Sequence, residues 1–257
     1  MSFTAKDVME LRAQTGAALM AAKKALVETA GDMDAAIDLL RKSGEAKAAK
    51  KADRATSEGA IKMIVADDNS KAAIASILCE TDFVARNDDF QALLTDLAQT
   101  ALEKGAEAAK AELEPKITAA IVTIGENMQI GDVIVLEGEY VNGYIHGNAK
   151  SAALVSLSAS NEEVARNVAM HVVAMSPKYL DASEVSAADV AKEKEIWKAQ
   201  LLEEGKPENI IDNIMAGKEK KYAAESALNE QPFVMDPSTA VKDYANNTVA
   251  AFTMLTV

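Results

Sequence analysis

Two stretches of this chain read as copies of one another, and that repetition restricts the folds open to it. "E-G-A-I-K-M-I-V-A-D-D-N-S-K-A-A-I-A-S-I-L" at 58–78 is answered by "E-Y-V-N-G-Y-I-H-G-N-A-K-S-A-A-L-V-S-L-S" at 139–158. Each reads as a strand, a polar turn and a second strand, with Ala-Ala-Ile-Ala-Ser-Ile in the first aligned on Ala-Ala-Leu-Val-Ser-Leu in the second. An amphipathic helix follows each copy, at 88–105 and 162–175, and a further strand follows each helix, at 132–138 and 249–257. The pattern predicts an α+β fold whose core is two related subdomains, each a small antiparallel sheet backed by helix. A chain of 257 residues is long enough for more than one such core.

Ahead of the repeats, three short helical patterns each end at glycine: Thr4 to Thr15 before Gly16, Leu19 to Ala30 before Gly31, and Asp32 to Ser43 before Gly44. Thr4 and Asp32 are suitable N-caps. Val8/Leu11, Leu19/Ala22/Leu26 and Met33/Ile37/Leu40 supply one apolar stripe per helix, which predicts a three-helix mini-domain. Glu45 to Ser57 holds no large apolar residue and reads as a basic linker, in part helical, that can swing or be gripped by a partner. In the second repeat, two charged helical stretches, 187–204 and 208–227, interrupt the path from helix to last strand. The Gly-Lys-Pro between them predicts an antiparallel helical hairpin, which either packs on the core or, the preferred reading, projects as a coiled coil. The expected domains are 1–54, 55–139, 140–186 with 228–257, and the insertion 187–227.

Charge and motifs exclude several kinds of function. A net charge of -13 opposes phosphate-backbone binding. Residues 1–54 are the exception, with ten Lys and Arg against eight Asp and Glu, while the remainder has 17 against 32. The single cysteine cannot form an internal disulfide, and no run of about 20 apolar residues suggests a membrane span, so a cytoplasmic protein is expected. Two distant histidines and one cysteine offer no metal set, and neither glycine-rich nucleotide fingerprint is present, so no cofactor is expected. Cys79 lies on a strand pattern and His171 on an apolar helix, where packing is the ordinary role; His146 sits in the hairpin turn "Y-I-H-G-N".

"C-E-T-D-F-V-A-R-N-D-D-F" at 79–90 joins a strand to a helix through an apolar pair. Asp88 with Gln91 resembles a capping box, which leaves Phe83 and Val84 outside both the strand alternation and the helix stripe. The pair is either folded back on the core or an aromatic anchor for a partner, with Asp82 adding polarity.

"L-R-A-Q-T-G-A-A-L-M-A-A-K-K-A-L" (11–26), "C-E-T-D-F-V-A-R" (79–86), "I-G-E-N" (124–127), "A-M-H-V" (169–172) and "Q-P-F-V-M-D-P-S" (231–238) occur in an order that resembles the bacterial-type elongation factor Ts family. That family comprises exchange factors of the GTPase elongation factor Tu. The resemblance implies a ubiquitin-associated-like N-terminal module, a two-subdomain core and an inserted coiled coil. It implies that Thr81, Asp82, Phe83 and Val84 enter the GTPase near its Mg²⁺ site, with Phe83 as a wedge and Asp82 disturbing the ion's surroundings. By the same resemblance Arg12 and Lys23 hold the nucleotide-binding domain, Val234 and Met235 form a second contact, and Ile124, Gly125 and His146 add to the surface. A homodimer through the coiled coil, as in some relatives, is also implied; direct binding to nucleic acid or membrane is not. The competing expectations are a degenerate α+β enzyme using Cys79 and an acidic adaptor that binds without exchanging nucleotide.

The chain departs from the family pattern at Ala18, Ala21 and Ala22, where Gly, Asp and Cys are common, and at Gly131 and Asp132, where a basic pair is common. It ends on the expected last strand at Val257, without the further helix some members carry.

Overall fold

The computed structural model describes residues 3–257, except for the side chains of Glu45, Glu208 and Asn209; Met1 and Ser2 of the expected first module lie outside the described residues. It has the α+β class expected from the sequence, and it divides into two compact units. Residues 3–64, Ala73–Val135 and Thr256–Val257 form the first, and Val65–Ala72 with Leu136–Leu255 the second.

The first unit opens with three helices, α1 (Ala5–Thr15), α2 (Leu19–Glu28) and α3 (Met33–Ala49). Thr4 caps α1 in a reciprocal box: its backbone N–H donates to Asp7 Oδ2 at 2.6 Å, and the Asp7 N–H donates to Thr4 Oγ1 at 3.4 Å. Asp32 caps α3 through the Ala35 N–H at 3.0 Å. Val8, Leu11, Ala22, Ala25, Leu26 and Ala36 close the core between the three. Leu19 does not join it; the side chain is 48% exposed, and Ala22 and Ala25 occupy the inner face of α2.

Gly44 does not end α3, which continues to Ala49. Helical φ and ψ are open to glycine, and a Cβ at Gly44 would make a tight contact of 3.3 Å with Val122 Cγ2. The linker is not free to swing either. Lys51 Nζ donates to Ile121 O at 3.2 Å and Gly125 O at 2.7 Å, and Asn127 Nδ2 donates to Ala52 O at 3.3 Å and Arg54 O at 2.8 Å. Both neighbours belong to α6 (Ala106–Ile124) and its exit, a helix the repeat pattern did not anticipate. Pro115 in its middle argues from sequence against a continuous helix, yet Ala109, Leu113, Ile117 and Ile121 form one buried stripe at four-residue spacing.

β1 (Glu58–Val65), β2 (Lys71–Cys79) and β3 (Met128–Glu137) form a sheet with β2 in the centre, and α4 (Asp82–Ala85) and α5 (Asp88–Lys104) lie between β2 and α6 in the chain. In the second unit β4 (Tyr140–Ile145), β5 (Ser151–Leu157) and β8 (Val249–Thr256) make the matching sheet with β5 central. β4 and β5 are antiparallel, Tyr140 opposite Leu157 and Ile145 opposite Ala152, and α7 (Glu162–Met175) packs across both. The insertion is a helical hairpin of α8 (Ala187–Glu203) and α9 (Glu208–Ser226), which pack on one another. Trp197 meets Tyr222 edge to face at 5.8 Å, Lys194 pairs with Glu219 at 2.6 Å, and Leu201 and Ile211 are buried at its far end. After it come β6 (Pro232–Phe233), the antiparallel β7 (Asp236–Ala240) and α10 (Val241–Tyr244).

The two repeats share a packing device. Ser76 in β2 and Ser156 in β5 occupy equivalent places in the duplicated motif, and both are buried. A Cβ on Gly131 would overlap Ser76 Oγ, and one on Gly138 would overlap Ser156 Oγ. Ser76 Oγ donates to Asp132 O at 3.2 Å, so the hydroxyl is satisfied across the strand pair. This accounts for the departure at Gly131: no side chain fits there while Ser76 stays in place. Gly131→Arg is therefore expected to destabilise the chain by about 1–3 kcal/mol, as overpacking does. Urea unfolding of both proteins tests this, and equal midpoints would refute it.

Candidate functional site

The residues expected to meet a partner fall on four surfaces. Arg12 stands in the last turn of α1 and Lys23 on α2, both exposed. Thr81 to Val84 form the start of α4, and Ile124 and Gly125 the end of α6. His146 is exposed at the β4–β5 turn, and Val234 and Met235 at the β6–β7 turn.

The Thr81–Val84 stretch is not a loop. It is a single helical turn, α4, capped by Thr81, whose Oγ1 accepts from the Val84 N–H at 3.4 Å. Neighbours on a helix point about 100° apart, and the apolar pair is divided accordingly. Val84 is buried at 9% exposure with Ala85 behind it, whereas Phe83 is 83% exposed, more than any other large apolar side chain among the described residues. Val84 therefore anchors the turn and Phe83 is what it presents. Asp82 Oδ2 pairs with Arg86 Nη2 at 3.1 Å across that turn, an exposed pair that contributes little stability.

The capping box expected at Asp88 is not formed. Asn87 caps α5 instead, its Oδ1 accepting from Asp89 N at 2.9 Å and Phe90 N at 3.4 Å, and Gln91 Nε2 donates to Ala85 O at 2.6 Å. Two caps in succession, Thr81 and Asn87, thus bracket α4 and hold it against α5.

Beneath the turn, Glu126 receives Thr81 N at 3.0 Å and Thr81 Oγ1 at 2.8 Å. Glu80 receives Asn127 N at 2.6 Å. Cys79 is fully buried beside them, and its thiol donates to Thr81 O at 3.2 Å. Burial, helped by the Glu126 carboxylate, pushes its pKa up to about 11, which leaves almost no thiolate near neutrality.

At the β6–β7 turn a buried histidine is the organiser. His171 Nδ1 accepts from Val234 N at 3.1 Å and Nε2 faces Gln231 Oε1 at 2.8 Å. The ring therefore carries its proton on Nε2 and donates to Gln231, whose amide in turn donates to Glu225 O at 2.7 Å. Phe233 lies against the His171 ring and stacks on Tyr244 at 4.1 Å, so the backbone before the turn is immobilised while Val234 and Met235 are left 39% and 61% exposed. Glu80, Glu126, Gln231 and His171 were absent from the expected site, although all four lie inside the motifs quoted above; their role depends on partners distant in sequence.

Residues 80–257 match the family described as Elongation factor TS. The chain belongs to the elongation factor Ts family. Its relatives include the elongation factor Ts of Marinobacter nauticus, 46% identical over 94% of this chain and 85% of the relative. That of Desulfovibrio desulfuricans is 43% identical over 96% and 92%, and that of a Nitratiruptor species 44% over 98% and 88%. Membership makes the chain a translation elongation factor. Among the described residues no helix is long and apolar enough to cross a membrane, and no group of three or more His, Cys, Asp or Glu could hold a metal ion.

Phe83→Ala is expected to change stability by less than about 0.5 kcal/mol, as an exposed substitution, and Val84→Ala to cost about 1–3 kcal/mol through lost burial and a residual cavity. Thermal melts of the two variants separate them, and equal shifts would contradict the assignment of Val84 as anchor. Burial lowers the His171 pKa below its ordinary 6.5, with the Gln231 bond opposing. As pH falls through 6.5 the unfolded chain takes up a proton that the folded chain refuses, so stability drops on the acid side. Urea midpoints at pH 7.5 and 5.5 should differ in that sense, and the difference should shrink in His171→Asn.

Proposed function

We propose that this chain binds elongation factor Tu and accelerates its release of GDP, acting through protein contacts with no bond chemistry of its own. The observation that carries the reading is the exposed Phe83 on a turn fixed by Val84, in a chain of the elongation factor Ts family. An aromatic ring held in water gains about 2 kcal/mol when a partner buries it, and a rigid turn loses little freedom in the process.

Phe83 is the wedge in this reading. Asp82 accompanies it towards the Mg²⁺-bearing end of the GTPase nucleotide site, exchanging its exposed Arg86 pair for the partner's groups. Arg12 and Lys23 grip the nucleotide-binding domain, Ile124 and Gly125 extend the wedge surface, and His146, Val234 and Met235 form the remaining contacts. Mg²⁺ and the phosphate loop retain GDP, so a protein that prefers the nucleotide-free GTPase weakens GDP binding by the same factor by which GDP weakens its own. The release rate rises and the equilibrium between free nucleotides does not move.

The Cys79 alternative lacks a nucleophile: the thiol is buried, hydrogen-bonded and protonated near neutrality. Elongation factor Tu loaded with fluorescent GDP provides the test. Addition of the intact chain is expected to speed release, and Phe83→Ala to slow that effect about tenfold or more. Binding without acceleration would leave only the adaptor reading, and acceleration undiminished in Phe83→Ala would remove the wedge.

A further inference from the structure

Four residues do not make a helix that stands by itself, because helix nucleation is unfavourable until several turns form. α4 must be held from outside. Burial of Val84 and Ala85 fixes one side of it. The other side is fixed by two carboxylates that reach across between the turn after β2 and the turn after α6. Glu126, from the second turn, accepts both the backbone N–H and the hydroxyl of Thr81 in the first. Glu80, from the first, accepts the backbone N–H of Asn127 in the second. Each turn supplies a charged acceptor to the other's main chain, so neither can move alone.

The hydroxyl of Thr81 makes the arrangement directional. Its proton points at Glu126 Oε1, which leaves an oxygen lone pair for the Val84 N–H, the capping bond of α4. The link is braced further back. Glu80 also faces Arg54 Nη1 at 3.5 Å, and the amide of Asn127 holds the Ala52 and Arg54 carbonyls. Lys51 caps the end of α6 at Ile121 O and Gly125 O.

We infer that Glu126 is a positioning residue for Phe83, and that the reciprocal Glu80/Glu126 link makes Thr81–Val84 and Ile124–Gly125 one preorganised contact surface. The inference rests on the exchange reading above for its effect on GDP release, and on this chain alone for its effect on α4. Removing the Glu126 carboxylate leaves Thr81 without its two fixed bonds, so α4 frays and Phe83 samples many directions. Encounter with the GTPase then survives through the other surfaces, while the step that needs an aligned wedge slows.

Two measurements on the full chain decide it. Amide hydrogen exchange in the free protein reports α4 directly: Thr81 and Val84 should exchange about tenfold or more faster in Glu126→Ala, with amides in the middle of α5 unchanged. Unchanged protection at Thr81 and Val84 would overturn the inference. With fluorescent GDP on elongation factor Tu, Glu126→Ala should lower the limiting release rate about tenfold or more and shift the half-saturating concentration far less. In a Phe83→Ala background the same substitution should have no further effect, because there is no ring left to position. Losses that multiply across the two substitutions would mean a general structural role and would also overturn it. Glu126→Gln, which keeps one acceptor oxygen for Thr81, should recover most of the rate and covers the case in which the alanine variant does not fold. Should the intact chain itself fail to speed release, the exchange reading falls, and the amide measurement still judges the positioning of α4.

Discussion

The central strand of each sheet is buried on both faces, and most of the architecture follows from accommodating it. Ala72 to Ile77 in β2 and Ala152 to Leu157 in β5 are almost wholly out of water residue after residue. Alternate side chains on a strand point to opposite faces, so an unbroken buried run demands cover above and below. Small residues, Ala-Ala followed by Ser, let that cover come close. The seryl hydroxyls then need partners and room, and a glycine beside each strand, Gly131 or Gly138, provides the room. A chain with few aromatic residues can build two dense cores in this way, with alanine and glycine setting how near its neighbours come.

The exit from β2 turns that rigidity into a presentable side chain. A strand whose last residue, Cys79, is buried leads within two residues into a helical turn that faces water on one side. Its inner residues Val84 and Ala85 extend the core, and helical geometry then directs Phe83 outward. The polar layer beneath, made of Glu80, Thr81, Glu126 and Asn127, meets its hydrogen-bonding needs internally. The β6–β7 turn uses the same logic with different residues: His171 and Gln231 secure the backbone, Phe233 is buried, and the next two apolar residues are left outside. In both places an exposed apolar group is adjacent to a buried one, and the buried neighbour determines where it points.

Local signals in the chain were sufficient for the elements that depend on their own residues. The strand pairs of the repeats, the caps at Thr4 and Asp32, and the helical hairpin at 187–227 all carry short-range periodicity or turn chemistry, and they stand close to where that chemistry puts them. Signals failed where a competing contact, near or distant in sequence, intervened. Gly44 reads as a helix end, yet α3 runs past it to Ala49 with Val122 close beside it, and Asp88 reads as a cap while Asn87, one residue earlier, takes the bonds. α6 was not anticipated, although its buried stripe of Ala109, Leu113, Ile117 and Ile121 repeats at four-residue spacing.

The candidate site divides along the same line. Its most exposed large apolar member, Phe83, was singled out by a mismatch with every local pattern, and the resemblance in its motif supplied a role. That Glu126 holds the turn carrying Phe83, and that His171 holds the β6–β7 turn, could not be read from the chain. Each depends on atoms brought together from 45 to 63 positions apart. Composition and periodicity report what a residue prefers near its neighbours; which side chain meets which backbone amide is settled only when the whole core has closed around them.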